Sequence, residues 1–282
     1  MKCKNCQKSL LVEANFCNNC GAKVIKERIT LKLLLLEFFI TIFGIDSKFF
    51  LTLRKMITHP QDVIHEYLNG VRKRYINPFA FLAIGAGLSV IVFNYFADDF
   101  IAIQNSMNSE QIKNLKETAN KDISSLKNLS KDDVKKIEFE QKSAQLQLKL
   151  MDGIWDFMLR YYNLLTFVFL FIYALLSKWT FLKPHNFGEH VIMNGYIYGF
   201  TTYYTLVAFI FAILIHPSIY VISIVGSIIY YMYAFGKIYK LSIGKNILKL
   251  LRFFIGLIFI FILILILGTI VGIIIGSLGL IK

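Results

Sequence analysis

Five uncharged apolar blocks govern what this chain can become. They cover residues 76–97, 161–177, 191–215, 217–236 and 253–276, and none carries an Asp, Glu, Lys or Arg. Crossing the hydrocarbon core of a bilayer takes about 20 apolar residues of helix. Four blocks reach that length. The 17-residue block is flanked by Arg160 and Lys178, whose aliphatic stems can snorkel to the two interfaces. Only 17% of the chain is charged, against about 25% in soluble domains. An ordinary soluble enzyme, a disordered chain and a secreted disulfide scaffold are thereby excluded. The expected fold is an all-α integral membrane protein with about five transmembrane helices.

The remaining sequence divides around these spans. Residues 1–24 hold all four cysteines: Cys3, Cys6, Cys17 and Cys20. Residues 25–75 read as cytoplasmic amphipathic and juxtamembrane helices, and within them 29–45, interrupted by Lys32 and Glu37, reads as an interfacial helix, with a membrane hairpin as the alternative. Pro60 can occupy the first turn of a helix that Gly70 ends. Residues 76–97 form the first span, and 156–282 form a four-span bundle. Between them, 98–155 is polar and nearly neutral. Apolar or small residues recur there at Ile112, Leu115, Ala119, Ile123 and Leu126, and again at Val134, Ile137, Ala144, Leu148 and Met151. These spacings of three, four and seven predict a helical hairpin standing off the membrane. Ser130 and Asp133 resemble a capping box at the start of its second helix.

The net charge of +13 sits beside the apolar blocks, so it reads as topology rather than nucleic-acid binding. Residues 1–75 carry 13 Lys and Arg against 6 acids. The 237–252 loop carries five basic residues and no acid, whereas 98–155 nets −1. Cytoplasmic loops collect Lys and Arg. The expected location is therefore the inner membrane of a bacterial cell, with a cytoplasmic N-terminus, an extracytoplasmic hairpin and an extracytoplasmic C-terminus.

The cysteines follow Cys-x2-Cys-x10-Cys-x2-Cys. Two such knuckles can place four thiolates around one Zn²⁺ as a tetrahedron. The alternative is a redox dithiol, but paired knuckles match a closed structural site better. Gly21 follows the second knuckle, where a turn often needs positive φ, and Gln7 holds the equivalent place after the first. The start MKCKNCQKSL lacks the apolar region of a signal peptide, so the thiols are expected in a reducing compartment. A closed four-thiolate site leaves no open coordination position, which favours folding and contact with a protein partner over catalysis.

Arg72, Lys73, Arg74 and Tyr75 stand at the edge of the first span. They read as a topology anchor on anionic lipid headgroups; the sharper reading is a phosphate-bearing ligand held by Arg72 and Arg74. Glu189 and His190 open the third span. Asn194, Tyr198, Thr201, Thr202 and Thr205 continue along roughly one face of it. That face serves either hydrogen bonding between helices or a polar cavity with Glu189 and His190 at its mouth. In the last span, Gly268, Gly272 and Gly276 form a smooth face for packing within the monomer or for a homo-oligomer.

The cysteine head, the run YLNGVRKRYINPFAFL and the later NFGEH together resemble a bacterial membrane family catalogued as domain of unknown function 3667. The resemblance implies architecture and carries no activity. No P-loop, dinucleotide fingerprint, serine nucleophile motif or paired zincin histidines occur. Three function classes follow, in this order: a scaffold or regulator working through the zinc ribbon, a lipid or small-molecule carrier, and a membrane enzyme.

Overall fold

The computed structural model describes residues 2, 3, 5–11, 14–22, 24, 47–106, 108–121 and 131–277, with backbone alone at 131, 267 and 271–277. The expected interfacial helix at 29–45, the cap at Ser130 and the stripe positions Ile123 and Leu126 lie outside the described residues. The chain forms two units, Met1–Ile45 and Asp46–Lys282.

The larger unit is all helix among the described residues. Its helices are α1 (Ser47–Thr58), α2 (Pro60–Leu68), α3 (Pro78–Tyr95), α4 (Ala97–Ser106), α5 (Ser109–Ala119), α6 (Lys131–Phe181), α7 (Phe187–Leu214), α8 (Ser218–Ile238) and α9 (Ile243–Ser277). Five of them, α3, α6, α7, α8 and α9, are long and apolar enough to cross a membrane. Local chemistry sets their ends. Pro60 and Pro78 occupy first turns, where the missing N–H costs nothing. Asn77 caps α3 by accepting from the Phe79 N–H at 2.9 Å. Gly70 turns the chain after α2 at φ +98°, a conformation a Cβ would oppose.

Contacts fix the directions of the spans. Pro78 meets α7 at Gly195, Phe81 meets it at Gly199, and Gly85 meets Thr202; Phe93 packs on Phe209. So α3 and α7 run parallel. α6 and α8 run the other way, since Ser177 reaches His190 while Leu159 shares a cluster with Phe209, and Phe200 stacks on Tyr230 while Phe209 meets Tyr220. The small residues Gly195 and Gly199 let the α3 and α7 backbones approach closely. A Cβ at Gly199 would lie 2.8 Å from the Phe81 ring and 3.3 Å from Leu82 backbone. Sequence reading placed the packing glycines in the last span instead. Gly268 there has nothing within 4 Å of its would-be Cβ.

One end of the bundle gathers α1, α2 and the turns around residues 182–186 and 239–242. Two long-range bonds tie α1 to α8: Tyr230 donates to the Met56 carbonyl at 2.7 Å and Tyr233 to the Thr58 carbonyl at 2.8 Å. These hydroxyls satisfy carbonyls that a helix C-terminus leaves without partners. At the other end, α4 tucks Phe100 and Ile103 against Phe93, Leu206 and Phe209.

α5 pairs with the first half of α6. Ile112, Ala119 and Ala144 are buried between them, as the stripe predicted. α6 itself is 51 residues long. Sequence reading ended one helix near 155 and began a span at 161. The structure stays helical past 155 and then kinks at Tyr161 (φ −110°, ψ 17°), where the span was expected to begin. No proline interrupts this stretch, and a lone Gly153 costs only about 1 kcal/mol of helix propensity.

Candidate functional site

The cysteine head is built from two copies of one turn. The Cys3 N–H donates to the Lys8 carbonyl and the Gln7 N–H to the Cys3 carbonyl; Cys17 with Ala22, and Gly21 with Cys17, repeat the pattern. Gly21 sits at φ +71° and Gln7 at φ +62°. The departure noted at Gln7 therefore leaves the geometry intact, with a side chain in a region that glycine occupies more cheaply. The four sulfurs lie within 4.8 Å of one another. Cys3–Cys20 and Cys6–Cys17 are each 3.7 Å apart, far from the ~2.05 Å of a disulfide. A tetrahedral site with Zn–S near 2.3 Å needs sulfurs about 3.8 Å apart, so the donor set and its spacing fit a metal. The Asn5 and Asn19 amides donate to the Cys20 and Cys6 sulfurs.

Backbone N–H groups steer the thiols. The Ala22 backbone and the Asn5 side chain hold Cys20 down to about 6, and the Cys20 and Asn19 backbone lowers Cys17. At Cys6 the Lys8 backbone favours the thiolate, but the Cys20 thiol, burial and the Cys17 and Cys3 thiols push it up to about 11. Crowded thiols resist ionising together unless a cation joins them.

At the start of α3 the backbone is held from three sides. The Ile76 N–H donates to Thr52 Oγ1 at 3.2 Å, the Ile76 carbonyl accepts from Tyr196 at 2.7 Å, and the Phe81 carbonyl accepts from Tyr203 at 2.5 Å. Glu66 takes both Arg74 (2.9 Å) and the Tyr75 hydroxyl (3.0 Å) on one carboxylate oxygen. Tyr75 was expected at the interface; it is buried, and burial, its bond to Glu66 and that negative charge push its hydroxyl up to about 12. Arg72 lies over the Tyr67 ring. The two arginines thus rest on different partners, and both remain exposed.

Glu189 and His190 diverge, as neighbours about 100° apart on a helix should. Glu189 completes a capping box with Asn186 and lies 3.2 Å from His185 Nδ1. His190 turns inward and is fully buried. Its Nδ1 is 2.8 Å from Ser177 Oγ, and its Nε2 is 3.2 Å from the Tyr239 hydroxyl. Asn194 donates to Ser177 Oγ and to the His190 carbonyl, both at 2.8 Å. This network joins α6, α7 and the C-cap of α8. Sequence reasoning missed Ser177 and Tyr239, which lie 13 and 49 residues from His190 and share no local period with it. His190→Ala should cost about 2 kcal/mol, since Ser177 and Tyr239 lose a buried partner. Thermal unfolding in detergent checks this; an unchanged midpoint would show the network to be idle.

The threonine face of α7 does something other than bond between helices. Thr201 and Thr202 donate to the Tyr198 carbonyl, and Thr205 to the Thr201 carbonyl, all at 2.9 Å and all within α7. Together with Asn194 and Tyr198 they line a cavity of about 270 Å³ between α6, α7, α8 and α9, which no charged residue lines. Tyr231 lines it too, and its buried hydroxyl has no hydrogen-bond partner among the described residues. Glu189 and His190 do not line it; Asn194 connects their helix face to it.

No curated protein and no solved structure matches the chain. Residues 46–90, a stretch that includes α1, α2 and most of α3, match the model of the family described as protein of unknown function DUF3667. Over these 45 of its 282 residues the chain is similar to that family.

Proposed function

We propose that the protein is a membrane scaffold or regulator that engages a protein partner through a zinc-bound head. Four thiolates at tetrahedral spacing carry this reading. They would fill the coordination shell of Zn²⁺ and leave no position for substrate. The α1–α2 end of the bundle bears Arg54, Arg72, Lys73, Arg74, Lys237, Lys240, Lys245, Lys249 and Arg252 against few acids, which supports a cytoplasmic assignment for that end. In this reading the head lies in the cytosol of a bacterial cell and the α5–α6 hairpin outside its inner membrane. A mild-detergent pull-down from native membranes, for wild type and Cys17→Ser/Cys20→Ser, tests the reading. A partner held only by the intact head is the expected result; the same partners in both samples would refute it.

The cavity supports a second reading, a carrier of lipid or of a small uncharged molecule. Ile228 lines one wall, and Ile228→Trp would fill it. Mass spectrometry of the purified proteins should find a copurifying molecule in wild type that the variant has lost. Equal retention would remove this reading.

A further inference from the structure

Where α1 lies along the spans sets up a contact with the bilayer. Phe49 packs on Phe81, the fourth residue of α3, and on Tyr203, with ring centroids 5.8 and 5.5 Å away. Tyr203 stands 16 residues into α7, about 24 Å from the start of that helix at 1.5 Å per residue. At its other end, α1 gives its Met56 carbonyl to Tyr230, eight residues and so about 12 Å before the end of α8. α8 is 21 residues long, about 31 Å, which is the hydrocarbon thickness itself. Phe81 is three residues, about 4.5 Å, past the start of α3, and α7 begins eight residues before the level where Gly195 meets Pro78. α1 therefore lies beside the first inner turns of the spans, at the boundary between headgroups and acyl chains.

The faces of α1 suit that depth. Phe49, Thr52 and Met56 turn inward and are buried. Phe50 (60% exposed) and Ile57 (56% exposed) point away from the bundle with Arg54 between them, and spacings of four and three put all three on one outward stripe. An apolar stripe carrying a basic residue is what an interfacial helix lays into the boundary between headgroups and acyl chains. Arg72 and Arg74 follow in the turn after α2, against Tyr67 and Glu66.

We infer that α1 and α2 form a wedge in one leaflet. Its outward stripe is covered by lipid: Phe50 and Ile57 meet upper acyl chains, and Arg54 draws an anionic headgroup phosphate below the level it holds elsewhere around the protein. Charge complementarity selects an anionic lipid as the occupant. The bilayer is then thinner beside α1 than beside α9, whose apolar run continues from Phe253.

Fluorescence from tryptophans placed at Phe50→Trp and Ile57→Trp tests this in the full chain. The background is Trp155→Phe/Trp179→Phe, and the unaltered parent is measured alongside for subtraction should that background misfold. The vesicles are phosphatidylcholine with a fraction brominated at carbons 6 and 7 of one chain. Brominated lipid should quench both sites several-fold more than aqueous iodide. Quenching chiefly by iodide would place α1 in water, and protection from both quenchers would mean that protein covers the stripe; either overturns the inference. In vesicles of equal phosphatidylcholine and phosphatidylglycerol, Arg54→Gln should lower the phosphatidylglycerol enrichment in retained lipid by about two- to threefold, and unchanged enrichment would overturn the phosphate contact.

Discussion

Cys17→Ser/Cys20→Ser is expected to remove one bound zinc per chain and to unfold the head while α3 to α9 stay folded. The reason lies in what the head lacks. Among its described residues only Cys3 and Cys17 are buried, and its large apolar side chains Leu11 and Phe16 are 69% and 59% exposed. The described residues of the head form no hydrophobic core to replace a metal. Structural zinc contributes about 10–16 kcal/mol in comparable peptides at neutral pH, far more than a segment of this size can gain otherwise. Elemental analysis of purified protein reads the stoichiometry, and limited proteolysis reads the fold. A wild-type chain that carries no zinc, or a double variant whose head resists protease as before, would contradict the metal's structural role. A strong chelator should reproduce the variant.

The second large effect is expected at Gly199. A Cβ there meets the Phe81 ring at 2.8 Å and Leu82 backbone atoms at 3.3 Å. Backbone cannot step aside, and Phe81 is itself enclosed by Phe49, Tyr196 and Tyr203. Its carbonyl is also held by the Tyr203 hydroxyl. Gly199→Val should therefore cost about 3 kcal/mol or more, at the upper end of overpacking effects. It should also loosen the start of α3. Gly268→Leu is the matched control: open space surrounds it, so its effect on the monomer should stay within about 0.5 kcal/mol. Thermal midpoints of the two variants in one detergent decide the matter, and equal midpoints would mean that α3 and α7 do not approach as described.

The spans were legible because uncharged blocks of helix-crossing length have few other fates. The cysteine pair-of-pairs was legible for a similar reason, since ligand spacing is local. What escaped reading is what joins distant residues. Nothing near Tyr196, Tyr203, Tyr230 or Tyr233 says that each hydroxyl donates to a backbone carbonyl more than 100 residues away. Arg72 and Arg74 looked like a pair in sequence, but Tyr67 and Glu66 divide them. The threonines of α7 kept their helical period, yet their donors turn to their own helix because a β-hydroxyl reaches the i−4 carbonyl at little cost. The period could show which face they share but not that a cavity lies beside it.

The kink at Tyr161 divides α6 into two arms. Residues 131–160 form an arm about 45 Å long outside the spans, and Tyr161 to Ser177 forms an inner arm of about 24 Å. The fulcrum is the one place where the helix departs from helical angles. Were that joint stiff, a sideways push of 2 Å at the hairpin tip would move Ser177 by roughly 1 Å. That is enough to stretch the 2.8 Å bond to His190 out of hydrogen-bonding range. A kink that bends would spare that bond, so the stiffness of the helix at Tyr161 decides whether the two arms move together.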